Sequence, residues 1–131
     1  MKIFLAIKFH EDLSNKILIE EISENIEKDG VQMIIMARDY EKWGAVKLSS
    51  EELMKITFEK ICESGLLLME LSEKGVGLGV EAGYAYAKGI PIVVIAKDGS
   101  DMPSTIPGIV RKVIFYKNTA ELQTKLKSYI F

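Results

Sequence analysis

The stretch Glu70-Leu-Ser-Glu-Lys-Gly75-Val-Gly77-Leu-Gly79-Val-Glu81-Ala-Gly83-Tyr84-Ala-Tyr-Ala-Lys-Gly89-Ile-Pro91 decides the fold. It follows an apolar run, Leu66 to Leu71, that reads as a buried strand. It then passes through three glycines at alternate positions into a short helix of small residues. Gly89 ends that helix, and Pro91 opens a second apolar run, Ile92 to Ala96. Strand, glycine loop, helix and strand in series make a βαβ unit. Its loop lies at the carboxyl end of a parallel sheet, where open α/β folds bind their ligands. Glu81 is expected in the first turn of the helix, at the mouth of that crevice.

The flanking sequence extends the pattern. Ile3 to Ile7 reads as a first strand, and Leu13, Ile17, Leu18, Ile22 and Ile26 recur at helical spacing up to a stop at Asp29-Gly30. Val31 to Met36 is a second strand, apolar throughout, as suits a strand covered on both faces. Ala37 to Ser50 is a long connection carrying Arg38, Asp39, Tyr40, Glu41 and Trp43. Ser49 with Glu52 fits a capping box, opening a helix whose apolar stripe is Leu53, Met54, Phe58, Ile61 and Cys62, with Cys62 in the core. Lys97 to Gly108 is rich in Gly, Pro, Ser and Asp and reads as a loop. Val110 to Tyr116 supplies a fifth strand, and Asn118 with Glu121 caps a last helix carrying Leu122, Leu126 and Ile130. This order predicts one doubly wound α/β domain over residues 1–131, flavodoxin- or Rossmann-like. Its sheet is expected to hold five parallel strands in the order 2-1-3-4-5.

Composition narrows the function. A net charge of −2, with no run of five or more Lys or Arg, gives no nucleic-acid footprint. The apolar runs are far shorter than the roughly 20 residues a membrane-spanning helix needs. The opening MKIFLAIKFHED reads as a strand and not as a signal peptide, so a cytoplasmic protein is expected. Cys62 and His10 are the only residues of their kinds, which excludes an internal disulfide and a Cys/His zinc cluster.

Two readings of the glycines stand side by side. In one, free N–H groups at the helix start hold an anion against a backbone bare of side chains. In the other, the glycines only allow a tight turn and close helix–sheet packing. The spelling G-x-G-x-G after the third strand is neither a dinucleotide fingerprint nor a P-loop. Glu81 likewise has a plain alternative, a helix N-terminal acid that merely complements the dipole.

The segment Glu81-Ala-Gly83-Tyr84-Ala85-Tyr-Ala-Lys-Gly89-Ile-Pro91 resembles the nucleoside 2-deoxyribosyltransferases and their relatives, the 2′-deoxynucleoside 5′-monophosphate N-glycosidases. In that family a Gly-containing turn leads into a helix opening E-[LIA]-G-x-A-x-x-x-G-x-P. The spelling Gly75-Val-Gly77-Leu-Gly79-Val-Glu81 looks more like the glycosidases. The resemblance implies a small-molecule substrate, a nucleoside or its 5′-monophosphate. It implies cleavage or transfer of the N-glycosidic bond without metal or organic cofactor, and a homodimer or higher homo-oligomer. Glu81 would be the nucleophile at C1′, giving a glycosyl-ester intermediate.

Two of the family's helper positions depart from its pattern. Thr57 stands where an Asp is usual, and Gly75 where the transferases have Asp and the glycosidases a phosphate-contacting Ser. Asp39, Glu70 and Glu73 are the carboxylates available to assist departure of the base, with Asp39 and Glu73 equally suited to a solvated surface. The loop Lys8-Phe9-His10-Glu11-Asp12 stands where the family shapes its sugar pocket, which makes Phe9 and His10 candidate contacts. Tyr40 and Trp43 are candidates to stack on a base. Gly75, Gly77 and Gly79 are expected against the substrate, and Ser104 matches a Ser that reaches a neighbouring subunit's phosphate. Tyr84 and Tyr86 point to opposite sides of their helix. A binding or sensor module that has lost catalysis is the alternative function. A receiver-like signalling domain fits less well, because no Asp ends the third strand.

Overall fold

Strands that are apolar along their whole length must be covered on both faces, and this chain supplies the helices to do so. The computed structural model describes residues 1–28 and 30–130. Strands β1 (Lys2–Ala6), β2 (Gln32–Ile34), β3 (Leu66–Glu70), β4 (Ile92–Lys97) and β5 (Lys112–Tyr116) form one sheet. All four pairings are parallel, and the order is β2-β1-β3-β4-β5, as expected. Every residue of β3 is buried, and the register sets Phe4 beside Leu67, Leu68 beside Val93 and Ile95 beside Ile114.

Alternation along the strands divides the core in two. Ile3, Leu5, Leu66, Leu68, Val93 and Ile95 face α1 (Lys16–Ile26) and the C-terminal α5 (Leu122–Lys125) and α6 (Lys127–Ile130). Phe4, Ala6, Leu67, Met69 and Val94 face α3 (Ser50–Cys62) and α4 (Val76–Ala87). Each helix contributes a short stripe, Ile19, Ile22 and Ile26 in α1 and Leu78, Ala82 and Ala85 in α4.

Several local expectations change. Leu13 adopts a left-handed backbone (φ 66) outside α1, and Ile17 is 71% exposed, so neither belongs to the stripe. The reason lies in Asn15. Its side chain accepts the His10 N–H at 3.0 Å and donates to the Lys8 carbonyl at 2.6 Å, so it staples the loop after β1. The helix begins only beyond it. α1 ends at Ile26, before the expected stop at Asp29-Gly30; Gly30 has φ +82, and Asp29 lies outside the described residues.

β2 ends at Ile34, and Met36 already opens a short helix, α2 (Met36–Asp39). The Ser49–Glu52 capping box forms, with Ser49 Oγ accepting from the Glu52 N–H at 3.1 Å and Glu52 accepting from the Ser49 N–H at 3.2 Å. Thr57 and Ile61 are the buried residues of α3, whereas Cys62 is exposed and not in the core. Its Sγ lies 3.2 Å from the Tyr84 hydroxyl. The last helix is broken into a turn, α5 and α6, and the Asn118 side chain makes no cap bond. Among the described residues no helix is long and apolar enough to cross a membrane.

Candidate active site

The site starts with a correction to the glycine segment. Gly75 is the N-cap of α4 in extended backbone, and Gly77 and Gly79 lie inside the helix and not in a loop before it. Glu81 is therefore in the second turn, beyond the reach of the dipole at the helix start. A Cβ added at Gly75, Gly77, Gly79 or Gly83 would meet nothing within 4 Å. Close helix–sheet packing thus does not explain these glycines.

What surrounds Glu81 is mostly apolar. Its Oε2 is enclosed and has no hydrogen-bond partner. Burial pushes its carboxyl up to about 7. Desolvation acts on it, and the positive helix end is too far away to oppose it. The carboxyl looks into a cavity of about 210 Å³ at the carboxyl end of the sheet, between the loop after β1 and helices α2, α3 and α4. Ile7, Phe9, Met36, Glu41, Leu53, Thr57 and Gly77 line it, and no Lys or Arg does. The volume is below the roughly 300–1,000 Å³ of ordinary ligand pockets. It suits the ring of a sugar better than a whole nucleotide.

The other expected residues divide into those at this cavity and those elsewhere. Phe9 and Gly77 are at it, and so is buried Thr57, at the position where the family pattern would place an Asp. Glu70 is not. It is buried, accepts from the Ser72 N–H at 2.6 Å and the Ser72 hydroxyl at 2.8 Å, and takes a further hydrogen bond from the Tyr116 hydroxyl. Ser72 Oγ in turn accepts the Lys97 N–H at 2.8 Å, so Glu70 ties together the ends of β3, β4 and β5. Burial, with Glu70 beside it, pushes the Tyr116 hydroxyl well above its ordinary value.

Asp39 is also spent on structure. It accepts the Ile35 N–H at 2.9 Å and pairs with Arg38 at 2.8 Å. The guanidinium also reaches Glu27 at 2.9 Å, Ser23 at 2.7 Å and the Met33 carbonyl at 3.0 Å, locking α2 to α1 and β2.

His10 lies at a neighbouring cavity with Glu70 and Glu73. Its Nδ1 is 2.7 Å from Ser14 Oγ and its Nε2 2.7 Å from Glu73. That hydrogen bond holds the Glu73 carboxyl below its ordinary range. Trp43 reaches the Glu81 cavity only at second hand: its ring tilts against Phe9 with centroids 5.9 Å apart, and Lys16 Nζ stands 5.1 Å above it. Tyr40 sits under Lys60, outside the Glu81 cavity. Gly75 and Gly79 face a different depression, with Pro103 and Thr105, and Ser104 between those two is exposed.

Comparison with solved structures then places this architecture. The chain superposes on a CMP N-glycosidase of Clostridium botulinum, BcmB, with a TM-score of 0.74 at 22% identity, covering 98% of this chain and 99% of that one. A 2-deoxyribosyltransferase of Bacillus psychrosaccharolyticus gives a TM-score of 0.66 at 16% identity, covering 94% of this chain and 90% of that one. The chain shares their fold. A conserved protein of Enterococcus faecalis V583 has it too, with a TM-score of 0.64 at 19% identity over 98% of both chains. No protein-family model and no curated protein matches the sequence.

Glu41 was not among the expected site residues. Its only sequence signal is that it is a carboxylate in the connection leaving the carboxyl end of β2, a property it shares with Asp39. Among the described residues no group of three or more His, Cys, Asp or Glu is arranged to hold a metal.

Proposed function

We propose that this chain belongs to the deoxyribosyltransferase-like N-glycosidases and cleaves or transfers the N-glycosidic bond of a nucleoside or its 5′-monophosphate, with Glu81 as nucleophile. The observation that carries this is the enclosed, partnerless Oε2 of Glu81 in a cavity free of cations. Leaving such a group unpaired is costly in the empty protein. The cost is relieved when positive charge develops beside it, as on the ring of an oxocarbenium-like sugar. Glu81 then closes on C1′ as the base leaves, and water or a second base takes the sugar from the ester. A 5′-phosphate has no cation to meet inside this cavity. It fits instead over the start of α4, where Gly75 and Gly79 leave the backbone bare.

Homo-oligomerisation belongs to the same reading. α4 turns Val76 (88% exposed), Val80 (45%) and Tyr86 (59%) outward, an apolar face suited to a second copy of the chain. An exposed unpaired thiol, Cys62, suits the reducing cytoplasm.

A product assay over nucleosides, deoxynucleosides and their monophosphates tests the reaction, run with and without an acceptor base. Wild type is expected to release free base, and Glu81→Ala to lose roughly a thousandfold or more of that rate. Stimulation by acceptor identifies a transferase, and indifference to it a hydrolase. Binding of a panel member without turnover by the wild type, unchanged in Glu81→Gln, would instead make the protein a sensor module.

A further inference from the structure

A nucleoside's base leaves as an anion unless something protonates it, and Thr57 has no proton to give at neutral pH. Of the carboxylates expected to supply one, Asp39 is held by Arg38 and Ile35, Glu70 by Ser72 and Tyr116, and Glu73 by His10. We infer that Glu41 is the second catalytic carboxyl of this cavity: it gives its proton to the departing base and then takes one from the incoming water. The inference rests on the glycosyl-transfer reading of Glu81.

Three observations converge on Glu41. It is the one other carboxyl lining the cavity into which Glu81 looks. It is unengaged: burial and then the charge of Glu11 act on it, both raising its carboxyl above the ordinary range, and no hydrogen-bonding or cationic partner is among its influences. Its backbone, by contrast, is fixed. The Glu41 N–H donates to the Met36 carbonyl at 2.9 Å, and its own carbonyl accepts from Gly44 and Val46, both at 3.0 Å.

The chain then passes through three consecutive left-handed residues, Lys42 (φ 47), Trp43 (φ 58) and Gly44 (φ 90). For the two that are not glycine this conformation is strained. This strained turn follows Glu41 directly in the chain. Trp43, braced on Phe9, holds the turn against the cavity wall.

The two carboxyls have separate tasks. Both line one cavity, and burial alone raises Glu81, with no contribution from Glu41, so the two share no proton. A sugar seated between them changes both. Positive charge at C1′ favours ionised Glu81, and a base closing the mouth removes water from Glu41 and favours its protonated form. In the first step the C1′–N bond breaks and its electron pair stays on the base nitrogen. That nitrogen takes the Glu41 proton, while a Glu81 oxygen bonds to C1′. In the second step water loses a proton to Glu41 as its oxygen bonds to C1′, and the ester C–O bond returns its electrons to Glu81.

Glu41→Gln keeps the side-chain shape and all three backbone bonds, so the variant is expected to fold as wild type. The test compares two substrates with the same sugar: a nucleoside that the wild type cleaves, and the 4-nitrophenyl glycoside, whose leaving group departs without a proton. Glu41→Gln is expected to lose about 10²–10⁴-fold on the nucleoside and to stay within a few-fold of wild type on the nitrophenyl glycoside. Glu81→Ala is expected to lose both. Equal loss on the two substrates, or no loss on the nucleoside, overturns the role of Glu41 alone. If wild type cleaves neither, the glycosyl-transfer reading falls and this one with it.

Discussion

Glu81 shows how a residue legible in the sequence still hides its chemistry. Its place in a conspicuous pattern could be read directly. Its environment could not, because burial depends on α3 and the loop after β1 closing over it. The consequence for stability has a definite sign. The unfolded chain ionises Glu81 near 4.5 and the folded chain near 7, so between those values the unfolded state holds fewer protons and stability falls as pH rises. Glu81→Gln removes the effect. Urea denaturation should find the two proteins alike below pH 4.5 and the variant more stable above pH 7, by at most about 3 kcal/mol. A constant difference across that range would mean that Glu81 is not buried as described. Asp39 and Glu70 teach the converse lesson: Glu70 ends β3 and Asp39 ends α2, but their partners Tyr116 and Arg38 have already claimed them.

At the scale of elements, the strands and their order were legible because continuous apolar runs admit few other arrangements. Helix starts were less so. α1 begins late because the Asn15 side chain serves the loop, and α4 begins early because Gly77 and Gly79 continue a helix that their composition argued against. Those glycines carry a cost, since each is worth roughly 0.5–1 kcal/mol less than alanine inside a helix. With open space at both, Gly79→Ala and Gly77→Ala should each raise the urea midpoint by a stabilisation of that size. Activity should separate them. The Gly77 methyl enters the Glu81 cavity and should lower kcat/KM on every substrate, whereas the Gly79 methyl should affect only the monophosphates. Loss of stability in either variant would show that the helix start is held by contacts of another kind.

At the scale of the whole molecule, four chain segments meet around the Glu81 cavity at one end of the sheet, and one helix, α4, serves both that cavity and the exposed face. Val80→Glu places charge in the middle of that face without touching the cavity. Sedimentation equilibrium is expected to find wild type as a dimer or larger and Val80→Glu as a monomer; a monomeric wild type would remove the oligomer from the picture. Cys62 offers the means to watch both roles at once. Because it is the only thiol and stands exposed against Tyr84 of α4, a single maleimide dye can be fixed at one known point without further engineering. Its fluorescence would follow the helix that bears Glu81 as substrate enters, and energy transfer between differently labelled copies would report their exchange in the same cuvette.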